Sequence, residues 1–192
     1  MDLSQRQREW LIAEVARAGL TGRGGAGYPT ARKLAAVAAG HAPVVLANGT
    51  EGEPASAKDK VLMTRSPQLV LDGAVLAAEM VGALQTVIVV HPAARHIIDE
   101  AVAERAQAGF DRVRIRVRTA ADRFVAGEAS AVVHWVERGI PAPRAIPPQV
   151  QGSVAASYSI PRDLARKPGS SRVAGVNAPM FLWEGPDIAI PV

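Results

Sequence analysis

The fold class this sequence predicts is an α/β domain built on a parallel sheet, and three observations predict it. Pro43-Val44-Val45-Leu46-Ala47 and Thr86-Val87-Ile88-Val89-Val90 are short, continuous apolar runs of the kind made by strands buried on both faces. Segments of helical periodicity lie between and after them. The resulting order of strand, helix, strand, helix, strand, helix lays parallel strands side by side with helices on the faces, a three-layer arrangement.

The elements follow in order. From Ser4 to Ala18, Trp10, Leu11, Ala13, Val15 and Ala16 sit among Gln, Arg and Glu, with Gly19 as a stop, which predicts an opening helix. A glycine-rich segment follows. Thr30 to Ala39 is a second helix with Ala, Leu and Val on one face, ending at Gly40. The first strand, from Pro43 to Ala47, runs into a polar loop from Asn48 to Pro54. Ser66-Pro67 opens the next helix, with Ser as cap and Pro at the first helical position, and Gly82 ends it. After the second strand, Ala93 to Ala108 forms another crossover helix. Arg112 to Arg118 alternates arginine with β-branched residues, the mark of a strand with one wet face near a sheet edge. A helix over about 127–136 comes next. Residues 1–150 thus form the domain, and 151–192 a Pro- and Gly-rich irregular tail in which two apolar pieces, 180–183 and 188–190, dock on the domain.

Composition narrows the chemistry. The 192 residues carry 22 Lys and Arg against 18 Asp and Glu, a net charge of +4, with basic and acidic groups interspersed and 4% aromatics, a poor match to a nucleic-acid-binding surface. Cysteine is absent, which excludes a disulfide scaffold, a catalytic thiol and a cysteine-ligated iron–sulfur cluster in this chain. No apolar run approaches the ~20 residues of a membrane span, and the polar N-terminus lacks a signal-peptide core. The expectation is a soluble, cytoplasmic protein.

Three segments are candidates for a site. Ligands of an open parallel sheet bind beyond the carboxyl ends of its strands, where Asn48-Gly49-Thr50-Glu51-Gly52-Glu53-Pro54 falls. Its carboxylates, Glu51 and Glu53, suit acid–base work, hydrogen bonding to ribose hydroxyls or cation binding, or are simply solvated. Gly22-Arg23-Gly24-Gly25-Ala26-Gly27 spells G-x-G-x-x-G, but a helix precedes it, so the usual dinucleotide reading does not apply. The glycines still let a backbone approach a ligand closely, with a helix N-terminus behind them. Phe124 to Ala131, containing Gly127 and Glu128, starts the helix after the third strand. Lys58-Asp59-Lys60 is an exposed charge cluster, or else a phosphate anchor, and the four histidines have no metal-site spacing.

Taken together, these segments resemble a known family. Arg23-Gly24-Gly25-Ala26-Gly27-Tyr28-Pro29-Thr30 with Lys33 is similar to the R-G-G-A-G-F-P-T…K segment of the flavin-binding, NADH-oxidising subunit of respiratory complex I, the F subunit of NADH-quinone oxidoreductase. That family has relatives in NAD-linked hydrogenases and formate dehydrogenases. Asn48 through Lys60 resembles N-A-D-E-G-E-P-G-T-F-K-D-R, Phe124 to Ala131 resembles Y-I-C-G-E-E-T-A, and Pro143-Arg144 with Pro147-Pro148 resembles the following P-R…P-P. The likeness spans roughly residues 20–150.

The resemblance implies a Rossmann-like FMN-binding domain in which NADH or NADPH delivers hydride to the flavin. It implies that Gly24, Gly25 and Gly27 line the flavin, that Lys33 lies by its polar groups and that Asn48 hydrogen-bonds it. Glu51 joins that wall, Glu53 lies toward the nicotinamide nucleotide, and Gly127 with Glu128 closes the far side. Departures bear on activity: Thr50 stands at the family's Asp, Ala57 at its Phe, Phe124 at its Tyr and Ala129 at its second Glu. Of a later V-N-N-V-E-T segment only Val176-Asn177 is similar. Full-length relatives add a ubiquitin-like domain and a domain with a cysteine-ligated cluster, so electrons would pass to a separate acceptor, such as a ferredoxin-like protein, a dye, a quinone or dioxygen. The alternative is a catalytically degenerate nucleotide-binding or assembly module of a redox complex. If the glycine segment cradles the flavin, Gly25→Val abolishes FMN uptake, read as loss of the flavin absorbance that co-elutes with protein; unchanged affinity would contradict the assignment.

Overall fold

The computed structural model of the chain describes residues 3–21, 28–40, 43–50 and 57–120, with Lys58 and the strands at 154–158 and 178–184 described by backbone alone. The first helix, α1 (Gln5–Arg17), starts at a capping box: Ser4 Oγ accepts from the Gln7 N–H while the Gln7 side chain accepts from the Ser4 N–H. Leu11, Ile12 and Val15 rest on the core. Arg8 lies where a Cβ on Gly82 would go. A cation thereby sits at the carboxyl end of a neighbouring helix, where the helix dipole favours it.

That neighbour is α4 (Pro67–Val81), which ends on Gly82 in the left-handed region at φ 76°. Before it come α2 (Thr30–Ala38), β1 (Pro43–Gly49) and α3 (Lys58–Arg65). Ser66 does not cap α4 with its side chain, contrary to the sequence expectation. It is the hinge between two consecutive helices, its N–H donating to the Leu62 carbonyl and its own carbonyl accepting from Leu69 and Val70. The pattern of apolar residues does not predict α3, because its only apolar run is Val61-Leu62-Met63 amid charge. β2 (Gln85–Val90), a 3-10 turn at Pro92–Ala94, α5 (Arg95–Gln107) and β3 (Arg114–Thr119) complete the continuous part.

β1, β2 and β3 run parallel, and the sheet order is β3-β2-β1-β5-β4, with β4 at Val154–Tyr158 and β5 at Ala178–Glu184. The arginine-rich strand is therefore at an edge, as its alternation predicts, although it begins at Arg114 and not Arg112. The parallel strands and the helices packed on them are the α/β architecture the element order predicts. β5 pairs antiparallel with β1, matching Val45 to Leu182 and Ala47 to Met180, so the apolar piece at 180–183 docks by entering the sheet. Beyond residue 150 the chain thus contributes two strands where the sequence pattern predicts none. The helix expected at about 127–136 and the apolar piece at 188–190 lie outside the described residues.

Register assigns the faces. Val45, Ala47, Thr86, Ile88, Val90, Ile115 and Val117 look toward α4 and α5, and their apolar members join Leu34, Val37, Met63, Leu71, Met80 and Ile98 in one cluster. Ala74, Ala77 and Ala78 on α4 are fully buried, and their small side chains bring that helix close to the sheet. On the opposite face Val44, Leu46, Val87 and Val89 are buried as well, so the central strands are apolar on both sides.

One polar cluster locks the helices together. Arg105 of α5 is buried, makes paired hydrogen bonds to Asp111 at 2.7 and 2.6 Å, and reaches Asp72 of α4 at 2.7 Å and Gln68 at 3.2 Å. Its guanidinium also stacks 4.9 Å from the centre of the Phe110 ring. Hydrogen bonding to Asp111 raises the arginine pKa further, so the charge is permanent. Removing this cation strands a buried carboxylate: Arg105→Met should lower the unfolding free energy by about 3–5 kcal/mol in urea titration, and an unchanged midpoint would show that the cluster is not structural.

Candidate functional site

Three parallel strands end together, at Gly49, Val90 and Thr119, with Asn48 and Thr50 at the end of the first. β1 runs two residues further than its apolar run suggests, because Asn48 and Gly49 stay in register with Val89 and Val90. Asn48 is 4% exposed and Thr50 7%. The Asn48 side-chain Oδ1 accepts from the Thr50 hydroxyl at 2.7 Å and from the Thr50 N–H at 3.2 Å. Between them Gly49 has no room for a side chain: an added Cβ would sit 2.3 Å from Met63 Cε and 3.2 Å from the Val89 carbonyl oxygen. α3 leans against this end of β1 and against the 3-10 turn. In that turn His91 Nδ1 accepts from the Ala93 N–H, and Arg95 donates to Thr119 Oγ1 at 3.1 Å, tying α5 to the end of β3.

The second wall is the start of α2. The feet of the glycine-rich segment are pinned to each other by an antiparallel bridge between Thr21 and Pro29 and by the Thr30 N–H donating to the Leu20 carbonyl at 2.9 Å. Pro29 at the N-cap has no side chain that could satisfy the first helical N–H groups. Thr30, in the first turn, is 2% exposed, and its hydroxyl finds no hydrogen bond among the described residues. One turn on, Lys33 Nζ lies 5.4 Å from the centre of the half-exposed Tyr28 ring. Burial pushes the Lys33 ammonium below the ordinary lysine value of 10.5. Leu34 and Val37 share a cluster with Val45 and Ala47, and only residues 39–42 connect α2 to β1. α2 packs mainly against α1, α4, β4 and β5.

Of the residues the sequence singles out, Lys33 on α2 and Asn48 at the end of β1 are among the described residues. Gly24, Gly25, Gly27, Glu51, Glu53, Gly127 and Glu128 lie outside the described residues. The expectation of an exposed Lys58-Asp59-Lys60 cluster needs correction: Asp59, in the first turn of α3, is 1% exposed. Helix formation turns that side chain inward while Lys60 stays in solvent. Thr30 and Thr50 are two further candidates at this edge that residue type and spacing do not single out. In the sequence Thr30 marks only a helix start, although it stands within the glycine-rich motif, and Thr50 marks only a departure from the family pattern.

The Nuo51 FMN-binding domain family matches residues 15–158, a span that holds both walls. The F subunit of NADH-quinone oxidoreductase in Aquifex aeolicus is 30% identical over 154 residues, which are 73% of this chain and 36% of that protein. The NAD-reducing hydrogenase HoxS subunit alpha of Cupriavidus necator is 32% identical over 156 residues, 73% of this chain and 26% of that one. Among solved structures, an NAD+-reducing NiFe-hydrogenase in the air-oxidized state superposes with a TM-score of 0.66 at 33% identity, covering 78% of this chain and 27% of that one. The chain spans about a third of the length of the curated relatives it matches.

The partly buried ammonium supplies a test of α2. Because Lys33 sheds its proton more readily in the folded than in the unfolded state, the unfolded chain binds more protons between the native value and 10.5. Stability contributed at this position therefore rises with pH across that window. Lys33→Met lacks this dependence, so the wild type should gain thermal stability relative to the variant as pH climbs from neutral toward 10.5; a difference constant with pH would show the ammonium to be solvated.

Proposed function

Because the chain belongs to the Nuo51 FMN-binding domain family, we propose that it is a flavin-dependent oxidoreductase domain that binds FMN, takes hydride from NADH or NADPH and passes electrons to a separate acceptor. The observation that carries the flavin reading is the buried Thr30 hydroxyl, which lacks a hydrogen bond among the described residues at the mouth of a helix whose first N–H groups have no side-chain cap. Such groups ask for an anionic or oxygen-rich ligand. The neighbouring donor set fits FMN: an ammonium at Lys33 and an amide at Asn48 complement phosphate, ribityl and ring oxygens.

In this reading Gly24, Gly25 and Gly27 let the backbone come close to the ring, and Lys33, Asn48 and Thr30 donate hydrogen bonds to its polar atoms. Glu51 belongs to the same wall, Glu53 accepts from the nicotinamide nucleotide, and Gly127 with Glu128 completes the enclosure. FMN, once bound, supplies a carrier that accepts two electrons as hydride and releases them singly. The chain's own contribution is to orient the two ring systems and to exclude water between them. In this reading the acceptor is separate, since these 192 residues hold no cysteine to ligate a cluster, with a ferredoxin-like protein the class best suited to single electrons.

A second reading, a degenerate nucleotide-binding or assembly module, draws on Thr50, whose hydroxyl is turned onto Asn48 where the family has a carboxylate. One experiment separates the two. Purified protein mixed with FMN and desalted should carry a flavin spectrum, and NADH added without oxygen should bleach it. Absence of flavin uptake would overturn both FMN binding and the enzyme reading; uptake without bleaching by NADH or NADPH would leave the module.

A further inference from the structure

Resting on the flavin reading, we propose that Tyr28 is a positioning residue: its ring holds the Lys33 side chain over the first turn of α2 and so sets the ammonium beside the end of the glycine-rich segment, ready for a polar atom of the flavin. Spacing carries the first step. With Pro29 at the N-cap of α2, Tyr28 is the residue just before the cap and Lys33 the fourth helical residue. Two apolar residues at these positions commonly pack on each other and fix the angle at which a chain enters a helix. Here the pair is a ring and a cation, with Lys33 Nζ 5.4 Å from the centre of the Tyr28 ring, within the reach of a cation–π attraction. Long side chains in a helix lean back toward its N-terminus, which brings the lysine stem over the preceding turn. The backbone beside Tyr28 is fixed as well, by the bridge between Thr21 and Pro29 and by the Thr30 N–H donating to the Leu20 carbonyl.

The ring is what keeps the ammonium there. Among the described residues Lys33 has no carboxylate and no hydrogen-bond partner. The positive end of the helix dipole disfavours a cation near the first turn, and partial burial disfavours the charged form of Lys33 further. Against both, the negative face of the Tyr28 ring is the attraction that remains. Lysine has a long, flexible stem, and holding it in one place before a ligand arrives removes an ordering cost from binding. Any aromatic face serves this purpose, including the Phe that stands at this position in the family the segment resembles. An aliphatic residue would pack on the stem and leave the charge unheld.

The test reads the contact and its consequence separately. Reductive methylation with isotopically labelled formaldehyde turns Lys33, Lys58, Lys60 and Lys167 into dimethylammonium groups that keep their charge and report by NMR. Lys33→Met identifies the Lys33 signal by its loss. In the flavin-free chain that signal should lie upfield of the other lysines, shielded by the ring; Tyr28→Phe should keep the displacement and Tyr28→Leu should abolish it. Fluorescence titration of FMN into the unmethylated proteins, with each fold checked by circular dichroism, reads the consequence. Tyr28→Leu should weaken binding about threefold, the worth of one cation–π contact, while Tyr28→Phe should match the wild type. In the Lys33→Met background Tyr28→Leu should add nothing, since its effect passes through the ammonium. An undisplaced Lys33 signal in the wild type, wild-type affinity in Tyr28→Leu, or equal losses from Tyr28→Leu in both backgrounds overturns the proposal while leaving FMN binding intact. A wild type that takes up no FMN removes the flavin reading and the role of Tyr28 toward it, and the methyl signal then still decides whether the ring holds the lysine.

Discussion

The double burial of β1 is the constraint on which the rest of the molecule depends. Apolar side chains line both faces of the strand from Val44 to Ala47, β2 pairs with one edge and β5 with the other, and the backbone is satisfied throughout. Such a strand can tolerate polar side chains only near its end, where a local network satisfies them. Asn48, Gly49 and Thr50 occupy that end. A Cβ at Gly49 would push against the end of the Met63 side chain from α3 and crowd the Val89 carbonyl, so the strand's end and the helix beyond it are closely fitted. Displacing any of them would expose apolar surface or leave a polar group without a partner.

Asn48, Thr30 and Lys33 are held on regular elements whose apolar neighbours, Ala47 and Leu34, belong to one cluster. Sites built on strands and helices keep their geometry better than sites built on loops alone. Keeping Lys33 partly desolvated disfavours its charged form, and Thr30 Oγ1 has no hydrogen bond among the described residues. Arg105 and its carboxylates do the opposite work: the guanidinium is satisfied within the protein, and α4 and α5 are fixed to each other.

Much of this is legible in the letters. Val87 to Val90 and Val44 to Ala47 can be recognised as strands because burial on two faces removes alternation, and Ser4 with Gln7 or Val81 with Gly82 marks helix ends through local hydrogen bonding. What escapes is decided by partners far away. α3 has too short an apolar run to announce itself, and Asp59 is buried against the rule that a carboxylate among lysines faces water. β4 and β5 lie among prolines and glycines, and an antiparallel pairing with β1 leaves no local mark. For the site, the glycine and acidic segments are recognisable through their joint order. The inward turn of the Thr50 hydroxyl is not, since its target exists only because β1 continues through Asn48.

The position of β5 has a consequence for how the chain is made. Ribosomal synthesis delivers β1 and β2 early, but the outer edge of β1 acquires its neighbour only when residues 178–184 emerge. Until then a largely apolar strand presents unpaired amides and carbonyls to solvent or to a passing chaperone, a template for pairing with other nascent chains. Closing it requires a loop of more than a hundred residues, the kind of remote pairing that slows folding. The pairing of β5 with β1 thus joins two strands far apart along the chain.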